Sequence, residues 1–256
     1  MWPTRKQSTL IAAGLFAAGM IISLLLCWQQ YRGNQARIGE TLALQSQQVT
    51  TELLQQLNTY ARGLRGTRAL VEVLRPFLLT QENFHRYQMA RNLDQDFPGA
   101  RGFGFIRRVP AAEVELFLKN VHAGGQPHFN IRKLATHGDT HYVIQFIEPQ
   151  TGNEKAIGLD IASESHRKYA ADTAARTGQP SLTAPITLVQ DSGNPQRSFL
   201  FLLPVYANGE QVPATASNEQ EVFGWVYTPL IIDEILSSIA LHSESLGLDL
   251  TDITDS

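Results

Sequence analysis

AIGLDIASESHRKYAADTAARTGQPSLTAPITLVQDSGNPQRSFLFLLPVY, residues 156–206, reads as strand, helix, strand, turn and strand. Leu182, Ile186 and Leu188, and then Phe199, Phe201 and Leu203, alternate with the period of two that marks strands laid over a core. Ahead of both, Ser163 is placed to cap a helix over 164–177. Its Ala170, Ala171, Ala174 and Ala175 allow close approach to a sheet, and Gly178 supplies a left-handed stop. Pro185 has no N–H for a ladder, so its strand is bulged or at an edge at that point. Thr183 is a hydroxyl among apolar neighbours. It suits either the orientation of a small polar ligand or a bond to buried backbone. Asp160 and Arg167 read as a capping carboxylate and a structural ion pair at the start of the helix.

Downstream, a surface loop over 209–220, a strand over 222–227 and a helix over 230–241 complete the pattern. Upstream, residues 102–109 alternate as a strand, a helix follows Pro110, and short strands are expected over 129–133 and 142–148. Strands and helices alternate unevenly, with hairpins late in the chain. This predicts an α+β, PAS-like architecture with an antiparallel sheet rather than a doubly wound one. Thr80 is placed to cap a helix whose inner face carries Phe84, Met89 and Leu93.

Residues 10–28 are an uncharged apolar run, about 28 Å long as a helix, close to the hydrocarbon thickness of a bilayer. No Ala-x-Ala pattern follows it and Leu26 is too large just before a lipoprotein cysteine, so an uncleaved membrane anchor is expected over a secretory signal. Arg5 and Lys6 before the run nearly balance Arg32 and Arg37 after it, which leaves orientation open. The apolar positions from Leu53 to Leu78 step by three and four, with Thr67 a polar lapse, as in a long stalk helix. The stripe fits a dimer seam or packing on the chain's own domain, and Gly63 and Gly66 weaken a free-standing coil. The expected divisions are a short amino-terminal segment over 1–9, a transmembrane helix over 10–30, a stalk over 33–80, the main folded domain over 81–242 and a segment leading out of it over 243–256. A net charge of −3 gives no polyanion-binding surface, so nucleic acid is not an expected partner.

The chemistry-bearing residues are sparse. Cys27, the single cysteine, lies in the apolar run and excludes an internal disulfide. His137, Asp139 and His141 form the best metal-like group, but zinc needs further ligands, and Gly138 and Asp139 are ordinary turn residues. A solvated loop is the stronger reading, and neither a metal nor a cofactor is expected. Gly-x-Ser-x-Gly, Walker A and Gly-x-Gly-x-x-Gly patterns do not occur, so no catalytic residue is assigned and the chain is not expected to be an enzyme. Glu148 and Asp160 flank opposite ends of a loop, at a separation the sequence leaves open.

An ordered series of short motifs then resembles the CHASE domains, extracytoplasmic sensors of bacterial histidine kinases and nucleotide cyclases and of plant cytokinin receptors. The series runs Phe97-Pro98-Gly99, Gly102-Phe103-Gly104 with Arg108-Val109, Ile147-Glu148-Pro149, Gly152-Asn153, Gly158-Leu159-Asp160, Arg167, Thr177-Gly178, Leu182-Thr183-Ala184-Pro185 and Pro204-Val205-Tyr206. The resemblance implies a stalk helix followed by two PAS-like subdomains outside the bacterial inner membrane, in the periplasm, with the amino terminus in the cytoplasm and the ligand in the membrane-distal subdomain. It also implies that Thr183 lines the pocket, as the threonine of the matching motif does in cytokinin receptors. Where those receptors carry an aspartate that grips adenine, this chain has Glu148-Pro149-Gln150, which argues against cytokinin. The expected ligand-binding set is Thr183, Glu148, Asn153 and Tyr142. Asp160, Arg167, Gly178 and Pro185 are expected as structural motif residues. The expected function is the small-molecule input region of a histidine kinase or cyclic-di-GMP enzyme, truncated here and dimeric through its stalk. An envelope adaptor that docks a partner protein is the alternative.

Overall fold

A computed structural model describes the backbone of residues 5–75, 78–189, 197–207 and 222–240, and side chains at 16, 19–32, 43–75, 78–189, 197–207 and 222–238. The chain divides into two compact units, Met1–Leu54 and Gln55–Ser256. The first holds most of helix α1, Arg5–Leu74. The side chains of 10–15, 17 and 18, in the expected membrane span, lie outside the described residues. Among those described, no helix is long and apolar enough to cross a membrane. The expected turn at 191–195, the loop at 209–220 and the segment 243–256 also lie outside them.

The second unit is a mixed α/β fold. Helices α2 (Gln81–Met89), α3 (Leu93–Asp96), α4 (Val114–Ala123), α5 (Ser165–Thr177) and α6 (Ile232–Ala240) accompany strands β1 (Phe103–Pro110), β2 (Arg132–Lys133), β3 (Thr140–Glu148), β4 (Leu159–Asp160), β5 (Ser181–Leu182), β6 (Ser198–Tyr206) and β7 (Val222–Ile231). The described strands join one sheet in the order β2-β4-β3-β1-β7-β6-β5. Pairing is antiparallel except between β2 and β4, which run parallel and make the sheet mixed rather than wholly antiparallel. Pro185 falls just beyond β5, the edge strand, where a missing N–H breaks no ladder.

α1 stops at Leu74, two residues before Pro76, which disfavours helix at the residue preceding it. In the second unit its Tyr60, Leu64 and Val71 are fully buried, so this part of the stripe packs on the chain's own domain. Gly63 is what permits it: a Cβ there would stand 2.7 Å from the rings of Phe97 and Phe103. The polar lapse at Thr67 is bonded, its hydroxyl donating to Gly63 O and accepting from Gln88 Nε2 and Arg91 Nη1. Thr80 caps α2 as expected, but the inner face is Phe84 and Gln88, while Met89 is exposed.

The other sheet face packs α5. Ala170, Ala171, Ala174 and Ala175 lie against Ile106, Ile144, Leu202 and Trp225, and Gly178 ends the helix at φ 68°. The N-cap is Glu164, not Ser163: its carboxylate accepts from the N–H groups of His166 and Arg167. Ser163 Oγ is used elsewhere, donating to Asp160 O and accepting from Leu134 N.

Burial pushes the phenol of Tyr60 up to about 12, an effect partly offset by its bond from Gln56. It raises Tyr227 as well, against the pull of Arg167. Both phenols hold their protons more tightly folded than unfolded. The unfolded chain therefore ionises first, and stability, complete below about pH 10, falls as pH climbs towards 12. Urea midpoints across that window are expected to fall progressively, with Tyr60→Phe flattening the decline. A pH-independent midpoint would contradict it.

Candidate functional site

Among the described residues, three places that gather polar side chains stand out. The first lies between α5 and the sheet. Ile144, Leu159, Ile161, Leu188 and Leu200 line a cavity together with Arg167 of α5 and Tyr227 of β7. Its enclosed space is about 10 Å³, room for one water. Arg167 is 4% exposed. Its Nη2 donates to Thr187 O at 2.9 Å, while Nε and Nη1 have no hydrogen-bond partner among the described residues, and Glu164 stands 3.7 Å from Nε. The hydroxyl of Tyr227, fully buried, is likewise without a partner among the described residues. Desolvation lowers the hold of Arg167 on its proton, opposed by Glu164 and Tyr227. Orphaned donors of this kind are uncommon in folded proteins, because each forfeits its bonds to water.

Local structure explains the placement. Trp225 Nε1 and Tyr206 Oη donate to the carbonyls of Ala171 and Ala175, which hold α5 flat on the sheet. Gly104 on β1 pairs with Tyr227, and a Cβ there would come within 2.3 Å of the ring, so the glycine makes space for the tyrosine. Thr183 sits beside the cavity without lining it. Its hydroxyl accepts from Leu200 N at 3.0 Å, tying the segment that carries Leu188 to β6.

The second place is an open cleft of about 710 Å³ beside α2 and the end of β3. Glu148, 2% exposed, accepts there from Gln81 Nε2 at 2.6 Å and faces His85 Nδ1 at 3.0 Å. Asn153 pins the following loop by donating to Arg101 O and Pro149 O.

The third place corrects the expected metal-like group. His137 and His141 meet at Asp160, not at Asp139: Asp160 Oδ2 lies 2.6 Å from His137 Nε2 and 2.7 Å from His141 Nδ1. Asp160 Oδ1 accepts from Tyr142 N at 2.9 Å and Ala162 N at 3.1 Å. Two imidazoles and a carboxylate are a common metal donor set. Ligands about 2.1 Å from one tetrahedral ion stand roughly 3.4 Å apart, however. The shorter separations here are those of charge-assisted hydrogen bonds. Asp160 therefore pairs with histidines and Arg167 with Glu164, in place of an Asp160–Arg167 pair.

The four residues expected to bind ligand do not converge. Thr183 follows edge strand β5, and Glu148 ends β3, with β1, β7 and β6 between them. Tyr142 lies on the α5 face, its ring 4.4 Å from that of Trp225 and its hydroxyl donating to Asp172. Asn153 belongs with Glu148. Tyr227 was not foreseen. Arg167 had a readable signal, since it begins the stripe 167, 170, 171, 174, 175, which is otherwise all alanine.

A family model of the CHASE domain matches residues 78–256. No curated protein matches the chain. Among solved structures, an extracellular ligand binding receptor from Desulfohalobium retbaense DSM5692 aligns at 15% identity and a TM-score of 0.44, over 75% of this chain. The chain spans 25% of that receptor's length.

Proposed function

The chain belongs to the CHASE domain family, and from that premise we propose that it is the extracytoplasmic sensor region of a membrane signalling protein, which takes a small molecule into the cavity between α5 and the sheet. The observation that carries this reading is the pair of orphaned donors, Arg167 and Tyr227, at one apolar-walled cavity. Thr183 contributes by holding the wall segment to β6, and Tyr142 by fixing α5 through Asp172. Glu148 and Asn153 shape the separate cleft at the end of β3.

The apolar run at 10–28 supports an anchor in the inner membrane, and membership of the CHASE family supports placing the second unit in the periplasm. Output is proposed to arise from movement of the stalk in α1 against an exit helix that follows the sensor domain and leads to a kinase or cyclic-di-GMP module, in a homodimer joined by the stalk. Strand β1 touches both partners in this coupling: Phe103 packs against Gly63 of α1, and the next residue, Gly104, abuts Tyr227. A ligand shifts such an element only by as much as it prefers one arrangement over the other.

The test is thermal denaturation of the full chain in detergent against fractions of bacterial metabolites. A ligand at about 100 times its Kd adds roughly 2.7 kcal/mol, or about 5–10 °C in Tm at this size. Leu188→Trp, which fills the cavity from its wall, is expected to abolish the shift. A shift that persists in Leu188→Trp, or no shift with any fraction, removes the cavity as a sensing site.

A further inference from the structure

We propose that the ligand carries a carboxylate, received by Arg167 Nη1 and the Tyr227 hydroxyl, on a short apolar body that packs against Ile144, Leu159, Ile161 and Leu200. This rests on the sensor reading above and adds the chemical class. A guanidinium presents only donors, and here one of its three nitrogens is used by the protein, at Thr187 O. Tyr227 offers a second donor at the same cavity. What is wanted there is an acceptor, and a negative one: Arg167 is buried, and Glu164 faces its Nε from 3.7 Å without a hydrogen bond. An amine would meet like charge and a second donor. A neutral amide would satisfy hydrogen bonds but leave the carboxylate of Glu164, 3.7 Å from Nε and not hydrogen-bonded to it, as the negative group facing the buried cation among the described residues. A phosphate carries more acceptor oxygens than these two side chains serve, with apolar surface around the rest. A carboxylate matches the planar guanidinium in charge and shape.

Size bounds the ligand too. The cavity holds about 10 Å³, and among the described lining residues Val189 is the one that is not buried. Entry of anything larger than a water therefore requires displacement at Leu188 and Val189, and it is that displacement which makes room for a body of a few carbons.

Isothermal calorimetry on the full chain in detergent, at neutral pH, uses sodium propionate, butyrate, isovalerate and benzoate as probes. Propionamide, butyramide, butylamine, butanol and inorganic phosphate are the comparators. At least one carboxylate is expected to bind ten-fold or more tighter than its amide. Tyr227→Phe should keep the fold and weaken that carboxylate about 10–150-fold, since a charged hydrogen bond is lost without a change of volume. Arg167→Lys should weaken it by more than about ten-fold while retaining positive charge. Acid and amide binding equally, or affinities unchanged in both variants, would overturn the carboxylate. Binding of a non-acidic comparator that Leu188→Trp blocks would also overturn it, while leaving the sensor reading in place. Failure of every probe here, together with failure of every metabolite fraction above, would overturn both.

Discussion

Asp160→Ala is expected to lower the stability of the domain by about 4 kcal/mol, a fall in Tm of roughly 8–16 °C. The carboxylate is fully buried and accepts from Tyr142 N, Ala162 N, His137 and His141. Alanine removes every one of those acceptors at once. The two backbone donors lie where no water replaces them, and a buried N–H left unbonded costs about 1–3 kcal/mol. The residue also joins elements distant in sequence, since β4 pairs with both β2 and β3 at this position. Asp160→Asn should fall between wild type and alanine. Its Oδ1 still receives the backbone, but its amide faces two rings that previously donated to it. His137→Ala should cost least, about 1 kcal/mol, because that ring keeps partial access to water. Urea denaturation followed by fluorescence, to which the buried Trp225 contributes, reads all three variants. A loss below about 1 kcal/mol for Asp160→Ala would show that the cluster does not hold the fold.

The contrast between Asp139 and Asp160 shows where sequence reading reached its limit. Local patterns were legible: the Thr80 cap, the alanine face of α5, the left-handed Gly178 and the edge position near Pro185 are all set by a few neighbouring residues. The partner of His137 and His141 was not legible, because Val143↔Asp160 is a long-range register and Asp139 was the nearer carboxylate in the chain. Strand order hid the separation of Thr183 from Glu148 in the same way. Ser163 drew the cap assignment because serine leads at that position, yet its hydroxyl was taken by Asp160 O, leaving Glu164 to cap α5. The glycines of α1 looked like weakness in a free coil. They are contact points, where Gly63 admits the rings of Phe97 and Phe103 and Gly66 admits Tyr87 Oη.

Gly104→Ala is expected to destabilise the second unit by about 3 kcal/mol and to abolish ligand binding. An alanine Cβ there would stand 2.3 Å from Tyr227 Cε1 and 2.5 Å from Phe146 O. Neither neighbour yields easily. The carbonyl belongs to β3, paired with β1 along its whole length, and the tyrosine is fully buried in the core beneath α5. If the ring moves, its hydroxyl moves with it and the donor pair with Arg167 is broken. If β1 moves instead, Phe103 shifts against Gly63 of α1. The two routes are separable by a double-mutant cycle with Tyr227→Leu, which removes the aromatic edge and leaves the carbonyl. A coupling of about 1–2 kcal/mol in favour of the double variant assigns that share of the clash to the ring. Additive losses would place the whole of it on the β1–β3 backbone and remove Gly104 as the residue that makes room for Tyr227. Tyr227→Phe in place of leucine should rescue nothing, because the hydroxyl plays no part in the clash. Restored stability in that variant would mean that the ring lies differently from the arrangement on which the ligand site depends.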